Sequence, residues 1–143
     1  MALFKFTKGI LNNEKIDIYN NGEMHRDFTY VDDLVNGIRL LFKAMPETGN
    51  QVCVKDNISN VAPFRIVNIG NSYKIKLIDF IDVIESELGQ RAQKNMMSMQ
   101  VGDVKDTWAD VSLLKSLTGF TPNTNIKKGV SEFIRWYRDY YDV

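Results

Sequence analysis

The sequence predicts an α/β chain, α+β if it folds in isolation, built from short strands and four to five helices. Three observations carry this. Apolar residues recur at helical spacing over 31–45, 77–88 and 126–141. Short β-prone runs at 15–20 and 64–69 disfavour an even helix bundle. The two kinds of segment alternate, with no internal repeat, low-complexity tract or clear linker.

The first segment places Leu3, Phe6 and Ile10 on one helical face, with Phe4 and Leu11 beside them. No Ser, Thr, Asp or Asn stands in front to cap it, so the expectation is a chain that begins inside a larger fold. Asn12-Asn13 break that helix. Ile16, Ile18 and Tyr19 then make a short strand ending at Asn20-Asn21-Gly22, whose Asn-Gly pair predicts a turn and a hairpin returning through Phe28. Thr29 is expected to cap the next helix, with Asp32 in the place of the Glu of a capping box. Behind it Val31, Leu34, Val35, Ile38, Leu41, Phe42 and Met45 form one apolar stripe, and Pro46 stops it.

Residues 47–62 read as a surface loop around a short strand at Val52–Val54. Phe64 to Ile69 reads as a second clear strand, ending in Asn68-Ile69-Gly70-Asn71-Ser72. Leu77, Phe80, Ile81, Ile84 and Leu88 define a helix closed by Gly89, and residues 92–98 read as extended. Asp110 is expected to cap a short helix carrying Leu113, Leu114 and Leu117 and ended by Gly119. Thr124 is expected to cap the last helix, with Ile126, Val130, Phe133, Ile134, Tyr137 and Tyr141 on its inner face.

Composition narrows the functions. A chain of 143 residues fits one domain and can bury roughly two-thirds of its unfolded surface. Eighteen basic and eighteen acidic residues cancel, which predicts no bulk attraction to nucleic acid or an anionic membrane. No apolar run approaches the roughly 20 residues of a membrane span. Lys5 and Lys8 interrupt the first apolar segment and argue against a signal peptide, so the expected location is the cytoplasm. Cys53 is the only cysteine and reads as a small apolar filler; His25 is the only histidine, so a Cys/His metal site is excluded. Asp103, Asp106 and Asp110 lack the alternating ligands and terminal Glu of a calcium loop, and no metal is expected.

No catalytic residue stands out. His25 lies in a turn-strand segment without a Ser or Cys partner and reads as an exposed turn residue. Asp32 and Asp33 project about 100° apart on a helix, so they do not converge as an acid–base pair; capping and the helix dipole account for them. Binding reads better. Arg26 carries a permanent, forked charge suited to a diphosphate, delivered at a strand end just before a helix. Tyr19 on the neighbouring strand suits a base or ribose, or else fills the core. Asn68 at a strand end, followed by Gly70, suits an oxyanion, or else forms the Asx turn that ends the strand.

Three segments carry a family resemblance. Arg26-Asp27-Phe28-Thr29-Tyr30-Val31-Asp32-Asp33, then Asn68-Ile69-Gly70-Asn71-Ser72, then Gly102-Asp103-Val104 with Ala109-Asp110, stand in the order seen in extended short-chain dehydrogenase/reductases. The chain resembles NAD-dependent nucleotide-sugar epimerases, UDP-glucuronate 4-epimerase-like enzymes above all, over nearly its whole length. Phe120-Thr121-Pro122 and the Gly129…Phe133-x-x-Trp136-Tyr137 segment are similar to the carboxy-terminal pattern of that family.

The resemblance implies a single carboxy-terminal substrate-binding domain across 1–143, with the amino-terminal NAD-binding Rossmann domain absent. It implies that NAD is held in the intact enzyme by Gly-x-x-Gly-x-x-Gly and that a Tyr-x-x-x-Lys pair moves the proton. Neither motif occurs here: Tyr19, Tyr30 and Tyr73 are followed four residues on by Glu23, Leu34 and Leu77. The chain alone is therefore expected to hold no cofactor, to be inactive, and to bind a UDP-sugar weakly. The resemblance also implies that Arg26 clamps the diphosphate with support from Asn68. It puts Asp17 and Tyr19 on the strand lining the uracil, Asp17 through its backbone, and Asp103 near the ribose and phosphate. Many relatives place an arginine two residues before the Gly-Asp pair, where this chain has Gln100. The rival expectation is an interaction module derived from that fold, whose exposed apolar faces self-associate.

Overall fold

The computed structural model describes residues 2–143. In order, the elements are α1 (Ala2–Leu11), β1 (Lys15–Ile18), β2 (His25–Asp27), α2 (Val31–Leu41), β3 (Lys74–Lys76), α3 (Leu77–Leu88), β4 (Gln93–Met96), α4 (Ser112–Thr118) and α5 (Ile126–Tyr141). Five helices with short strands make an α/β chain, as the sequence predicts. The chain divides into two compact units. One holds the segment ending at Arg26, Lys74–Thr107 and Asn125–Val143; the other holds Asp27–Tyr73 and Trp108–Thr124.

In the first unit α3 packs against both α1 and α5. Phe80, Ile81 and Ile84 of α3 are fully buried, and Phe6 and Ile10 of α1, Ile16 and Ile18 of β1, and Val130 and Ile134 of α5 are buried in the same unit. These are the positions that helical spacing placed inside. β1 runs parallel to β4, with Asp17 opposite Asn95 and Ile18 opposite Met96. The hairpin from β1 to Phe28 does not form. Tyr19–Gly22 is instead a 3-10 turn in which Asn20 and Asn21 take left-handed backbone angles (φ 49° and 50°), sending the chain away from β1. Gly22 ends that turn at φ 79°, where a Cβ would collide with the Ile78 side chain, so only glycine fits. β2 pairs with β3, a strand the sequence pattern did not reveal.

Glu85 of α3 is 3% exposed. Burial pushes its carboxyl up, but hydrogen bonds from Lys94, Arg91 and the Ala92 amide outweigh this and leave it below the usual carboxylate range. It ties the end of α3 to β4. α5 is capped by Asn125, whose Oδ1 accepts from the Lys128 amide at 2.9 Å; the cap lies one residue beyond the expected Thr124.

In the second unit α2 packs against α4. A Cβ added at Gly37 of α2 would lie 3.2 Å from Ile69 and 3.8 Å from Phe120, so both side chains approach the helix closely there. The cap of α2 is Tyr30 and not Thr29, and its side chain makes no capping hydrogen bond. Asp32 and Asp33 lie in the first turn, favourable for the helix dipole. Asp33 also holds the 123–124 segment, its Oδ2 accepting the amides of Asn123 and Thr124 at 3.1 and 2.9 Å. Phe64 to Ile69 is not a strand, and neither is Val52–Val54. A strand needs a partner ladder, and among the described residues none lies alongside. The Asn57 side chain substitutes at one point, accepting from the Ile66 amide and donating to its carbonyl, both at 2.8 Å. Phe64 and Ile66 remain exposed. Asp110 does not sit at the cap position of α4, which Val111 occupies, but its Oδ1 accepts from the Ser112 amide at 2.9 Å.

Candidate functional site

Arg26 in β2 is the best-anchored candidate. Nη1 donates to the carbonyls of His25 (2.9 Å) and Lys105 (3.0 Å), and Nη2 donates to Asp103 Oδ1 (2.9 Å). The guanidinium side chain is 27% exposed and its Asp103 partner 35%. Two carbonyls on Nη1 and a carboxylate on Nη2 hold both prongs of the fork in a fixed orientation, while part of the side chain faces solvent. That arrangement presents a charge in a set direction, which is what recognition of a bulky anion requires. Asp103 is fixed in turn, because the same Oδ1 accepts from the Val104 amide at 2.8 Å.

The segment carrying Asp103 continues alongside β2. His25 donates its amide to the Lys105 carbonyl at 3.0 Å, and Thr107 donates to the His25 carbonyl at 3.2 Å. His25 Nδ1 lies 2.7 Å from Asp106 Oδ1, so the histidine is a cross-segment partner and not a free turn residue. That hydrogen bond, followed by the nearby Lys74, holds the Asp106 carboxyl below the usual carboxylate range.

The other expected residues fall as follows. Asp17 is exposed in β1, its Oδ1 accepting from Asn95 Nδ2 at 2.7 Å. Tyr19 is half-buried at the start of the 3-10 turn, beside the Asn21–Met97 backbone bond that joins this turn to the end of β4. Asn68, in the second unit, is exposed, and its Nδ2 reaches the Asp110 carbonyl at 3.4 Å. The structure thus brings Arg26 and Asp103 together, and engages Asp17 and Asn68 with other partners.

The residue that sequence reasoning missed is Asp27. Within the second unit its Oδ1 accepts from the Asn71 amide at 3.0 Å, and its Oδ2 accepts from the amides of Ser72 (2.9 Å) and Ala109 (3.0 Å). One carboxylate therefore pins both the Gly70-Asn71-Ser72 and the Ala109-Asp110 segments. Gly70 makes this approach feasible: a Cβ there would lie 2.5 Å from Ala109 Cβ and 2.9 Å from Asp27 Oδ2. Asn71 Nδ2 extends the network to the Thr124 carbonyl at 3.1 Å. These pairings span more than forty positions of sequence, and no local spacing signals them. Within this unit, Asp27, the Asn71-Ser72 pair and Ala109 form one hydrogen-bonded assembly. Asp110 closes it with a bond to Lys55 Nζ at 2.6 Å, which with the Ser112 contacts drives its carboxyl well below the usual range.

Among the described residues, no three His, Cys, Asp or Glu side chains group to hold a metal ion. The residues bounding α2 to α5 at their amino ends are Tyr30, Lys76, Val111 and Asn125. None is glycine, so these helices offer no glycine-rich cradle for a dinucleotide pyrophosphate. No described helix is long and apolar enough to cross a membrane.

Three ordered motif segments on this α/β scaffold define the class: extended short-chain dehydrogenase/reductases of the nucleotide-sugar epimerase and dehydratase kind. The sequence model of the family described as GDP-mannose 4,6 dehydratase matches residues 3–133, and the chain belongs to that family. It is 47% identical to Protein CapI of Staphylococcus aureus, over 99% of this chain and 43% of that protein. It is 44% identical to a probable UDP-glucuronate 4-epimerase of Rhizobium meliloti, over 99% of this chain and 42% of that one. Among solved structures it is similar to the UDP-glucuronic acid 4-epimerase of Bacillus cereus in complex with UDP-glucuronic acid and NAD. The TM-score is 0.75 and the identity 27%, over 96% of this chain and 40% of that chain. The chain therefore spans less than half the length of these relatives.

Proposed function

We propose that this chain is the UDP-sugar-binding part of an NAD-dependent nucleotide-sugar epimerase or dehydratase, inactive by itself, with Arg26 as its diphosphate ligand. The observation that carries the reading is the guanidinium anchored by two carbonyls and Asp103, with part of its surface facing solvent. The similarity to an epimerase solved with UDP-glucuronic acid supports the ligand class. Asp103 lies against Arg26 and is assigned to the ribose and phosphate. Asp17 and Tyr19 are assigned to the uracil by resemblance, and Asn68 to the diphosphate.

NAD supplies the hydride acceptor and donor in the intact enzymes. The residues of this chain do not fit it: no Gly-x-x-Gly-x-x-Gly spacing or Tyr-x-x-x-Lys pair occurs among them. What this chain does is bind and orient. Two carbonyls fix Arg26, Asp103 sets the edge of the anion site, and β1 with its following turn offers a wall for the base. One charge-assisted contact contributes about 1.5–3 kcal/mol, so affinity is expected to be weak. The expected result of an NMR titration with UDP-glucuronate is saturable shifts at Tyr19, Arg26 and Asn68, abolished by Arg26→Ala. Shifts confined to other residues would contradict it.

A second reading has its own observation. Val31, Val35, Ile38, Phe42 and Met45 on one face of α2 and just beyond it are 44–80% exposed. Such an apolar stripe motivates self-association of an interaction module. Light scattering across a concentration series is expected to show growing mass if that module exists. A monomer at every concentration removes it.

A further inference from the structure

We propose that His25 is a positioning residue for Arg26: by gripping Asp106 it holds the 105–107 segment on β2 and fixes the carbonyl that orients the guanidinium, so that diphosphate binding follows the protonation of the imidazole. The proposal rests on the reading of Arg26 as the diphosphate ligand.

Successive side chains leave a strand on opposite faces, so His25 and Arg26 depart from β2 in opposite directions. Both nevertheless grip the same neighbouring segment. Arg26 takes Asp103 and the Lys105 carbonyl; His25 takes the Asp106 carboxylate at 2.7 Å. The Lys105 carbonyl is the shared point, accepting at 3.0 Å both from the His25 amide and from Arg26 Nη1. A segment that drifts from β2 therefore takes with it one of the two carbonyls that hold Arg26.

The charged groups facing the imidazole come from each neighbouring element. The 103–107 segment supplies Asp106 and Lys105, and β3 supplies Lys74, whose Nζ is 3.8 Å from Asp106 Oδ2. Glu23 precedes β2 and is paired with Lys76 of β3 at 2.8 Å. Arg26 adjoins His25 through its carbonyl. Asp106 is held below the usual carboxylate range and stays ionised through the pH span in which histidine ordinarily titrates, about 5 to 8. Among the residue types gathered here, histidine is the one whose charge ordinarily changes in that span. Protonation converts its bond to the ionised Asp106 from a neutral donor on a carboxylate into an ion pair, which adds the attraction of opposite charges to the hydrogen bond. The clamp is thus tight at the acid end and relaxes as pH rises.

The test uses UDP-glucose, whose two phosphates are both esterified and keep their charge over this range. Binding to the chain, to His25→Gln and to Asp106→Asn is measured by NMR at pH 5.5 and 8, together with ligand-free pH titrations. The expected result is an affinity that falls about two- to fivefold from the lower to the higher pH. The Lys105 and Thr107 amides are expected to move with the imidazole C–H resonances, and both variants are expected to bind at the weaker level without pH dependence. A pH-independent affinity in the unaltered chain, a dependence kept by His25→Gln, or amides that ignore the imidazole would overturn the proposal. Failure of UDP-glucose to bind at either pH would overturn the diphosphate reading and the pH-linked binding with it. Amides that track the imidazole would then establish the clamp alone.

Discussion

Asp27→Ala is expected to destabilise the unit formed by Asp27–Tyr73 and Trp108–Thr124 by about 3 kcal/mol. Three backbone amides, at Asn71, Ser72 and Ala109, lose their carboxylate acceptor at once. Hydrogen bonds to a charged group contribute about 1.5–3 kcal/mol each, but three on one carboxylate do not add, and the amides regain some water. Asp27→Asn keeps one acceptor oxygen and turns an N–H₂ toward an amide donor, so it recovers only part of the loss. Amide exchange at the three positions and the urea midpoint check this together. Faster exchange confined to Asn71, Ser72 and Ala109 with a lower midpoint is expected. Unchanged protection would show that the segments are held without Asp27.

Phe80→Ala is expected to cost about 3–5 kcal/mol in the other unit, the range for emptying an aromatic core position. Phe80 is 0% exposed in the middle of α3, with the Phe6 ring 6.5 Å from its own. Its neighbours Ile81 and Ile84 are equally buried and held by α1 and α5, so the backbone has little freedom to close the cavity. Against a typical total of about 5–15 kcal/mol, that loss approaches unfolding. A thermal midpoint lowered by about 10–20 °C is the expected reading. A shift of a degree or two would mean that α3 is not the centre of this core.

The helices were legible because their apolar residues recur with the helical period, and in α3 and α5 that stripe is the buried face. Leu77 to Leu88 and Ile126 to Tyr141 each fill a continuous stripe, and their spans agree with the structure within a residue or so. The caps were less legible. Thr29 and Thr124 are good capping residue types, yet Tyr30 and Asn125 hold those positions; Thr124 gives its amide to Asp33, ninety-one residues away, while its neighbour Asn125 makes the local capping bond to the Lys128 amide. Strand pairing was the least legible. The Asn20-Asn21-Gly22 sequence suits a hairpin, but Asn20 and Asn21 use their tolerance of left-handed angles to build a 3-10 turn. Phe64 to Ile69 has the composition of a strand and no partner among the described residues, and composition cannot supply a ladder.

The candidate site divides in the same way. Arg26 was visible as a forked charge at a strand end, and Asp103 as part of a motif. That the two form an ion pair, that His25 grips Asp106, and that Asp27 joins three segments all depend on contacts between residues more than forty apart. Asp27 stands in the first motif segment, next to the more conspicuous charge of Arg26, and nothing in the local sequence marks its role.

The most direct measurement of the central claim follows the Arg26 side-chain Nε–H resonance while UDP-glucuronate is added. The account predicts a saturable shift of that resonance, matched by the Asp103 and Lys105 amides and missing from Arg26→Ala. A guanidinium resonance that stays still while the ligand binds elsewhere, or no binding at millimolar ligand, would contradict it.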